Sequence, residues 1–208
     1  MESSDIGLWE SFETWSPHLF FVAGAFSLVA AANYGMTSIF DSITFNSWVG
    51  LTVLLARVAS LLGVAGISAH IMDRTSRVGK LGRVVVVLAL IVTLGLLTTA
   101  VLKNLGAAQP IEAILGLGTV VLSLVTYTLF GVAILRTGAL STLVGVMLLG
   151  ATVALLFGMF GRAALPINVV GTFAELGLVV THVAIGYRLL TASAHGDRAN
   201  LPPGTVAE

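Results

Sequence analysis

The sequence predicts an all-α polytopic membrane protein, a compact bundle of six transmembrane helices. Three observations favour this class. Hydrophobic residues make up 57% of the chain and charged residues 10%, whereas soluble domains carry about 25% charge. Mean hydropathy is +1.02 over 208 residues, which leaves little room for a soluble domain. Six apolar runs each reach the roughly 20 residues that cross a bilayer.

Proline and loop length place the helices. Pro17, Pro110 and Pro166 stand at or just before three of the runs, and proline suits the first helical turn. The connections are short, so neighbouring helices should run antiparallel. The membrane domain is predicted over 17–190, followed by a flexible cytoplasmic tail over 191–208. The predicted spans are 17–40, 47–72, 82–103, 110–135, 139–164 and 167–190.

The N-terminal segment, residues 1–16, is acidic and lacks the basic start of a signal peptide. We therefore expect the first span to be retained. Within residues 4–16, Ile6, Trp9, Phe12 and Trp15 recur near helical spacing. A short helix in the membrane interface and an irregular acidic lead-in are both open interpretations.

Basic residues predict the orientation, because cytoplasmic loops are enriched in Lys and Arg. With both termini cytoplasmic, only Lys103 and Arg162 lie on the opposite side. We expect this orientation in the cell membrane. The basic residues then on the cytoplasmic side are Arg74, Arg77, Lys80, Arg83, Arg136, Arg188 and Arg198.

Two full charges, Arg57 and Glu175, stand well inside apolar runs. A charge in hydrocarbon costs at least a few kcal/mol, so it is retained only where something satisfies it. With both helices entering from outside, Arg57 lies roughly 15 Å deep and Glu175 roughly 12 Å deep. The two charges are thus expected at one level, either as a ligand site or as a structural ion pair.

Other polar residues repeat on helix faces at steps of three and four. The predicted outward-facing pocket has the Arg57 and Glu175 pair at its floor. His182 lies on the same face of the sixth span as Glu175. We expect it to relay protons or to hydrogen bond to another helix. The remaining candidate site residues are Asn168, Thr172, Tyr34, Glu112 and His182, with Asp41 nearer the rim.

Several kinds of chemistry lack a signature. The chain has no cysteine, which excludes disulfides and thiolate metal sites. No hydrolase, metalloprotease or phosphate-binding motif occurs, no metal site is predicted, and no basic patch favours nucleic acid. Axial haem ligation by His70 and His182 is a minor alternative, since their depths differ by about 7 Å. We expect no cofactor.

Small residues every fourth position on the first span, Ala23, Ser27, Ala31 and Gly35, allow another helix to approach closely. Packing within the bundle and a homo-oligomer interface both use this pattern. The expected partners are membrane lipid and either a second copy or another membrane protein.

Two segments, DRTSRVGKLG at 73–82 and YTLFGVAILRTG at 127–138, resemble segments of small uncharacterised prokaryotic multi-span proteins. The resemblance implies an all-helical protein of the prokaryotic inner membrane, and it carries over no catalytic residues. The leading hypothesis is transport, sensing or small-ligand binding through the predicted pocket. The alternatives are a structural or accessory subunit and, third, an intramembrane enzyme or b-type haem protein.

Overall fold

The computed structural model describes residues 3–40, 43–72, 76–106 and 111–199. Side chains are described within 13–37, 49–68, 71, 80–103, 105–106 and 111–192. The described residues form six α-helices and one short 3₁₀ turn, with no strand among them. The helices are α1 (Ser3–Phe40), α2 (Ile43–Met72), α3 (Ser76–Asn104), α4 (Glu112–Thr137), α5 (Thr142–Phe160) and α6 (Ile167–Ala199).

The predicted fold class is confirmed. Each of the six described helices contains a stretch that is long and apolar enough to cross a membrane. Helices suit this setting because every backbone hydrogen bond is made within the segment. Large apolar side chains are exposed on the outside of the bundle, as expected for contact with lipid. Those at least 61% exposed include Val84, Ile91, Ile114, Val153, Phe173 and Val180.

The first helix begins at Ser3, so Pro17 lies inside α1 and does not start it. Two contacts hold the chain at this point. The Ser16 hydroxyl donates to the Gly63 carbonyl of α2 at 2.8 Å, and a Cβ at Gly186 of α6 would lie 2.9 Å from the Pro17 carbonyl oxygen. Packing on both sides thus keeps α1 helical across a residue that provides no N–H.

Residues 3–16 are therefore helical, and their place in the membrane interface stays a prediction. The 38 residues of α1 extend about 57 Å, beyond the roughly 30 Å hydrocarbon core. At the other end, α6 continues to Ala199, so residues 191–199 of the predicted flexible tail are helical. The next proline, Pro202, lies beyond this helix. Asp41, Pro110 and residues 200–208 lie outside the described residues.

The helices pack in a ring that follows chain order. Each helix packs against the next, α1 closes the ring against α6, and α2 also approaches α4. At the α4–α5 turn, Gly138 has φ +60° and its N–H donates to the Ile134 carbonyl, a common way to end a helix. Antiparallel neighbours follow from the short connections, as predicted.

The two halves of the bundle differ. We call the half in which α1, α3 and α5 end the cavity half, and the opposite half the core half. The main cluster of buried apolar side chains lies largely in the core half and includes Phe20, Leu61, Val86, Ile134 and Ile185. A densely packed layer therefore closes one half of the bundle, while the other half contains space.

Two glycines set the distance between α4 and α5. A Cβ at Gly131 would lie 2.9 Å from Leu149 Cγ and 3.1 Å from the Gly145 carbonyl oxygen. A Cβ at Gly145 would lie 2.9 Å from Leu135 Cγ and 3.1 Å from the Gly131 carbonyl oxygen. The contact is reciprocal, so any side chain at either position forces the helices apart.

We expect Gly145→Ala to lower the free energy of unfolding by about 1–3 kcal/mol, because the added methyl overpacks the α4–α5 contact. Thermal unfolding of the purified protein in detergent measures the change. Gly35→Ala is the matched control, since a Cβ there meets nothing within 4 Å. Equal stability of the two variants would contradict the close contact.

Candidate functional site

The two intramembrane charges meet in the interior. Arg57 Nη2 of α2 donates to Glu175 Oε1 of α6 at 3.3 Å, and their side chains are 8% and 5% exposed. Both helices pack against α1, so the ion pair reaches across the inside of the ring. The expectation that the two charges lie at one level agrees with this contact.

One atom of each charged group has no hydrogen-bond partner among the described residues. These atoms are Arg57 Nη1 and Glu175 Oε2, and both are buried. The Ser27 side chain of α1 lies beside the Glu175 carboxylate, yet its hydroxyl also lacks a hydrogen bond of good geometry. A buried polar atom without a partner is costly, especially on a charged group, so the pair retains hydrogen-bonding capacity.

A cavity of about 470 Å³ lies against this pair in the cavity half. Its wall is mostly apolar, and polar groups come from Tyr34, Thr119 and Arg162 in addition to the ion pair. All six helices contribute to it. The other lining residues are Val53, Leu54, Leu96, Gly116, Leu117, Val120, Ala154, Leu155, Gly158, Met159, Gly171 and Ala174.

A second recess of about 550 Å³ adjoins the cavity toward the end of the bundle. The two spaces share five lining residues, among them Tyr34, Leu96 and Gly116. Lys103 and Glu112 line the recess, where Lys103 Nζ lies 2.9 Å from Glu112 Oε2. The shared lining residues place the recess next to the cavity, on the side nearer the rim of the bundle.

A hydrogen-bonded triad lies further toward the core half. The Ser60 hydroxyl of α2 is 2.6 Å from the Tyr127 hydroxyl of α4 and 2.9 Å from His182 Nε2 of α6. The His182 ring is also near the Phe20 ring, with centroids 6.1 Å apart. This triad and the apolar residues around it form the base beneath the ion pair.

Tyr34 holds its place in the cavity wall through contact with Gly171. A Cβ at Gly171 would lie 2.6 Å from Tyr34 Cδ1, so only glycine accommodates the ring there. Gly116 has the opposite role, because a Cβ at that position would meet nothing within 4 Å. Gly171 therefore fixes a side chain of the wall, while Gly116 leaves the cavity wide.

The structure brings together some of the predicted site residues. Tyr34 lines the cavity with Arg57 and Glu175, whereas Glu112 pairs with Lys103 at the rim. His182 contacts Ser60, and its predicted proton relay to Glu175 stays a prediction.

Asn168 and Thr172 are not among the described residues that line the cavity. The Asn168 side-chain oxygen accepts from the Val169 N–H at 3.0 Å. Thr172 donates to the Asn168 carbonyl at 2.8 Å, as threonine in a helix often does. Their helical spacing from Glu175 was therefore insufficient to place them in the wall.

Sequence reasoning did not select Arg162, which follows α5 in the 3₁₀ turn Gly161–Ala163 and lines the cavity. It also did not select Ser60 and Tyr127 as partners of His182. Both residues lie at helical spacing from other polar residues of α2 and α4, but the angle between those two faces depends on packing.

Within the described residues, no three His, Asp or Glu side chains come close enough to hold a metal ion. The side chain of His70, one of the two candidate haem ligands, lies outside the described side chains. His182 Nε2, the other candidate, is within hydrogen-bonding distance of Ser60.

Comparisons with known proteins found no matching family model, no matching curated protein and no matching solved structure.

We expect Arg57→Gln or Glu175→Gln alone to destabilise the protein by about 3–5 kcal/mol, because each leaves an uncompensated buried charge. The double variant should recover much of that loss, since no unpaired charge remains. Thermal unfolding of the four proteins in detergent gives the coupling energy.

The exposed ion pair of Lys103 and Glu112 provides the matched control. Its side chains are 61% and 39% exposed, so the same set of glutamine variants should change stability by only about 0–1 kcal/mol. If the Arg57 and Glu175 variants change stability as little as this control set, the buried ion pair stabilises the protein no more than an exposed one.

Proposed function

We propose that this chain is a multi-pass protein of the cell membrane that binds a small ligand in the cavity half. Transport or sensing of that ligand is the role that such a site would serve. The observation that carries the proposal is the cavity of about 470 Å³ directly against a buried ion pair. Small-molecule sites are typically concave and mostly apolar, with a few polar groups that orient the ligand.

The polar groups at the site support this proposal. A pair that served only to join two helices would be expected to saturate its hydrogen bonds, as buried polar networks usually do. Here Arg57 Nη1 and Glu175 Oε2 are both unpartnered within the described residues. Intramembrane charged residues are also functional candidates in general, because their cost in hydrocarbon is high.

The proposed orientation places both termini in the cytoplasm and the cavity half toward the outside. Among the described residues, Lys80 and Arg83 near the start of α3 and Arg136 at the end of α4 lie at the core-half end. Lys103 and Arg162 lie at the other end. The excess of basic residues at the core-half end supports a cytoplasmic location for that end.

A structural or accessory subunit is the second candidate, and one observation favours it. The triad of Ser60, Tyr127 and His182 links α2, α4 and α6 without lining the cavity. Such interhelical hydrogen bonds stabilise membrane bundles. In this alternative the ion pair has the same structural role, and the cavity holds no specific ligand.

Single cysteines test the orientation, because the chain has none of its own. We expect Ala164→Cys, at an exposed site after α5, to react with a membrane-impermeant thiol reagent added to intact cells. Thr142→Cys, at the exposed start of α5, should react only after the membrane is opened. The reverse pattern would place the cavity half in the cytoplasm.

A cysteine in the cavity wall tests access to the site. We expect Gly116→Cys to react with a small polar thiol reagent from outside, because Gly116 lines both the cavity and the recess. Ala151→Cys is the control, since Ala151 is 0% exposed and packs in the apolar cluster. Protection of Gly116→Cys equal to that of Ala151→Cys would count against a ligand site.

A further inference from the structure

The charges and the walls of the cavity indicate which class of ligand it would bind. Resting on the proposed function, we propose that the ligand is a small organic anion: a carboxylate beside a hydrogen-bond donor, on a compact apolar body. Its carboxylate binds Arg57 Nη1 and lies within the field of Arg162. Its donor binds Glu175 Oε2, and its apolar part contacts the aliphatic wall.

The balance of charge favours an anion. Arg57 and Glu175 neutralise each other through their contact at 3.3 Å. Arg162 also lines the cavity and makes no ion pair with the residues that the structure describes. The cavity is therefore lined by one more positive than negative charge. Because Arg162 is exposed, its attraction for an anion acts at the rim, where water weakens it. A carboxylate oxygen can accept a charge-assisted hydrogen bond from Arg57 Nη1, the guanidinium nitrogen without a partner.

The free oxygen of Glu175 favours a donor on the ligand, because the Ser27 hydroxyl beside the carboxylate makes no hydrogen bond of good geometry. Arg57 Nη1 and Glu175 Oε2 belong to two groups already in contact, and both atoms are unpartnered within the described residues. A plain carboxylate would satisfy Nη1 but would leave Oε2 facing another anion. A hydroxyl next to the carboxyl group donates to Oε2 and satisfies both atoms.

The rest of the wall selects an apolar body of limited size. Val53, Leu96, Leu117 and Met159 line the cavity, and its volume of about 470 Å³ lies in the range of small-molecule sites. The helices around it form a closed ring, with α1 packed against α6. The recess beside the cavity lies toward the end of the bundle, which favours a soluble molecule that arrives along the bundle axis over a lipid with two tails.

Four compounds with related branched apolar bodies separate the parts of the proposal. They are leucate, isocaproate, free leucine and isoamylamine. We expect leucate to raise the midpoint of thermal unfolding most, with an affinity about tenfold above that of isocaproate, which lacks the hydroxyl. Free leucine, a zwitterion, should bind more weakly than leucate, and isoamylamine should not bind.

Any other ranking of the four affinities overturns a stated part of the proposal. Binding of isoamylamine or free leucine as tight as that of leucate would remove the argument from net charge. Equal affinity for isocaproate would remove the donor to Glu175. No stabilisation by either anion would overturn the ligand class as a whole.

The same compounds added to Gly116→Cys distinguish this inference from the proposed function. Leucate should slow the reaction of the cysteine with the thiol reagent. Reaction that is rapid and unaffected by every compound would show an open cavity with a different ligand. A cysteine that never reacts would instead count against the proposed function itself.

Variants test the role of Arg162 without disturbing the buried pair. We expect Arg162→Gln to lower the affinity for leucate at least several-fold while the protein remains folded, because Arg162 is exposed at the rim. Arg136→Gln, an exposed arginine at the opposite end, is the matched control and should bind leucate normally. Equal loss in both variants, or in neither, would overturn the assignment to Arg162.

An anionic lipid headgroup has a related chemistry, and the membrane composition separates the two sources. The assays are run in phosphatidylcholine nanodiscs with and without phosphatidylglycerol. We expect leucate to protect Gly116→Cys in both preparations. Protection by phosphatidylglycerol alone, with no further effect of leucate, would overturn the proposal in favour of a lipid.

Discussion

The contact between Arg57 and Glu175 is the interaction on which the interior depends. Each charge alone would be too costly in an apolar bundle, and each is tolerated because the other lies 3.3 Å away. The contact joins α2 and α6 across the inside of the ring and so restrains the rotation of these two helices. The rotation of α6 in turn presents Gly171 to the ring of Tyr34 on α1.

The two halves of the bundle differ in how tightly they are packed. In the core half, apolar side chains such as Phe20 and Ile134 fill the space between helices, and the triad around His182 links three helices by hydrogen bonds. In the cavity half, glycine and alanine leave space, and charged groups keep free atoms. Packing in the core half stabilises the bundle, and this stability offsets the contacts that are missing around the open cavity.

Small residues determine how closely the helices approach. Gly131 and Gly145 bring α4 and α5 together in the core half, and Ala23 and Ala31 of α1 are almost fully buried within the chain. The predicted small-residue pattern of α1 is therefore used inside the bundle at these positions. Gly171 has a more specific role, since it makes room for the ring of Tyr34.

The sequence by itself determined that six apolar helices form, and it placed the two intramembrane charges inside them. These properties follow from local apolarity and helical rise, which need no knowledge of neighbours. Only the tertiary structure decided that Tyr34 and Arg162 share a cavity with the pair, while Asn168 and Thr172 bond within α6. Helical spacing places residues on a face, but the rotation of each helix depends on packing between distant residues.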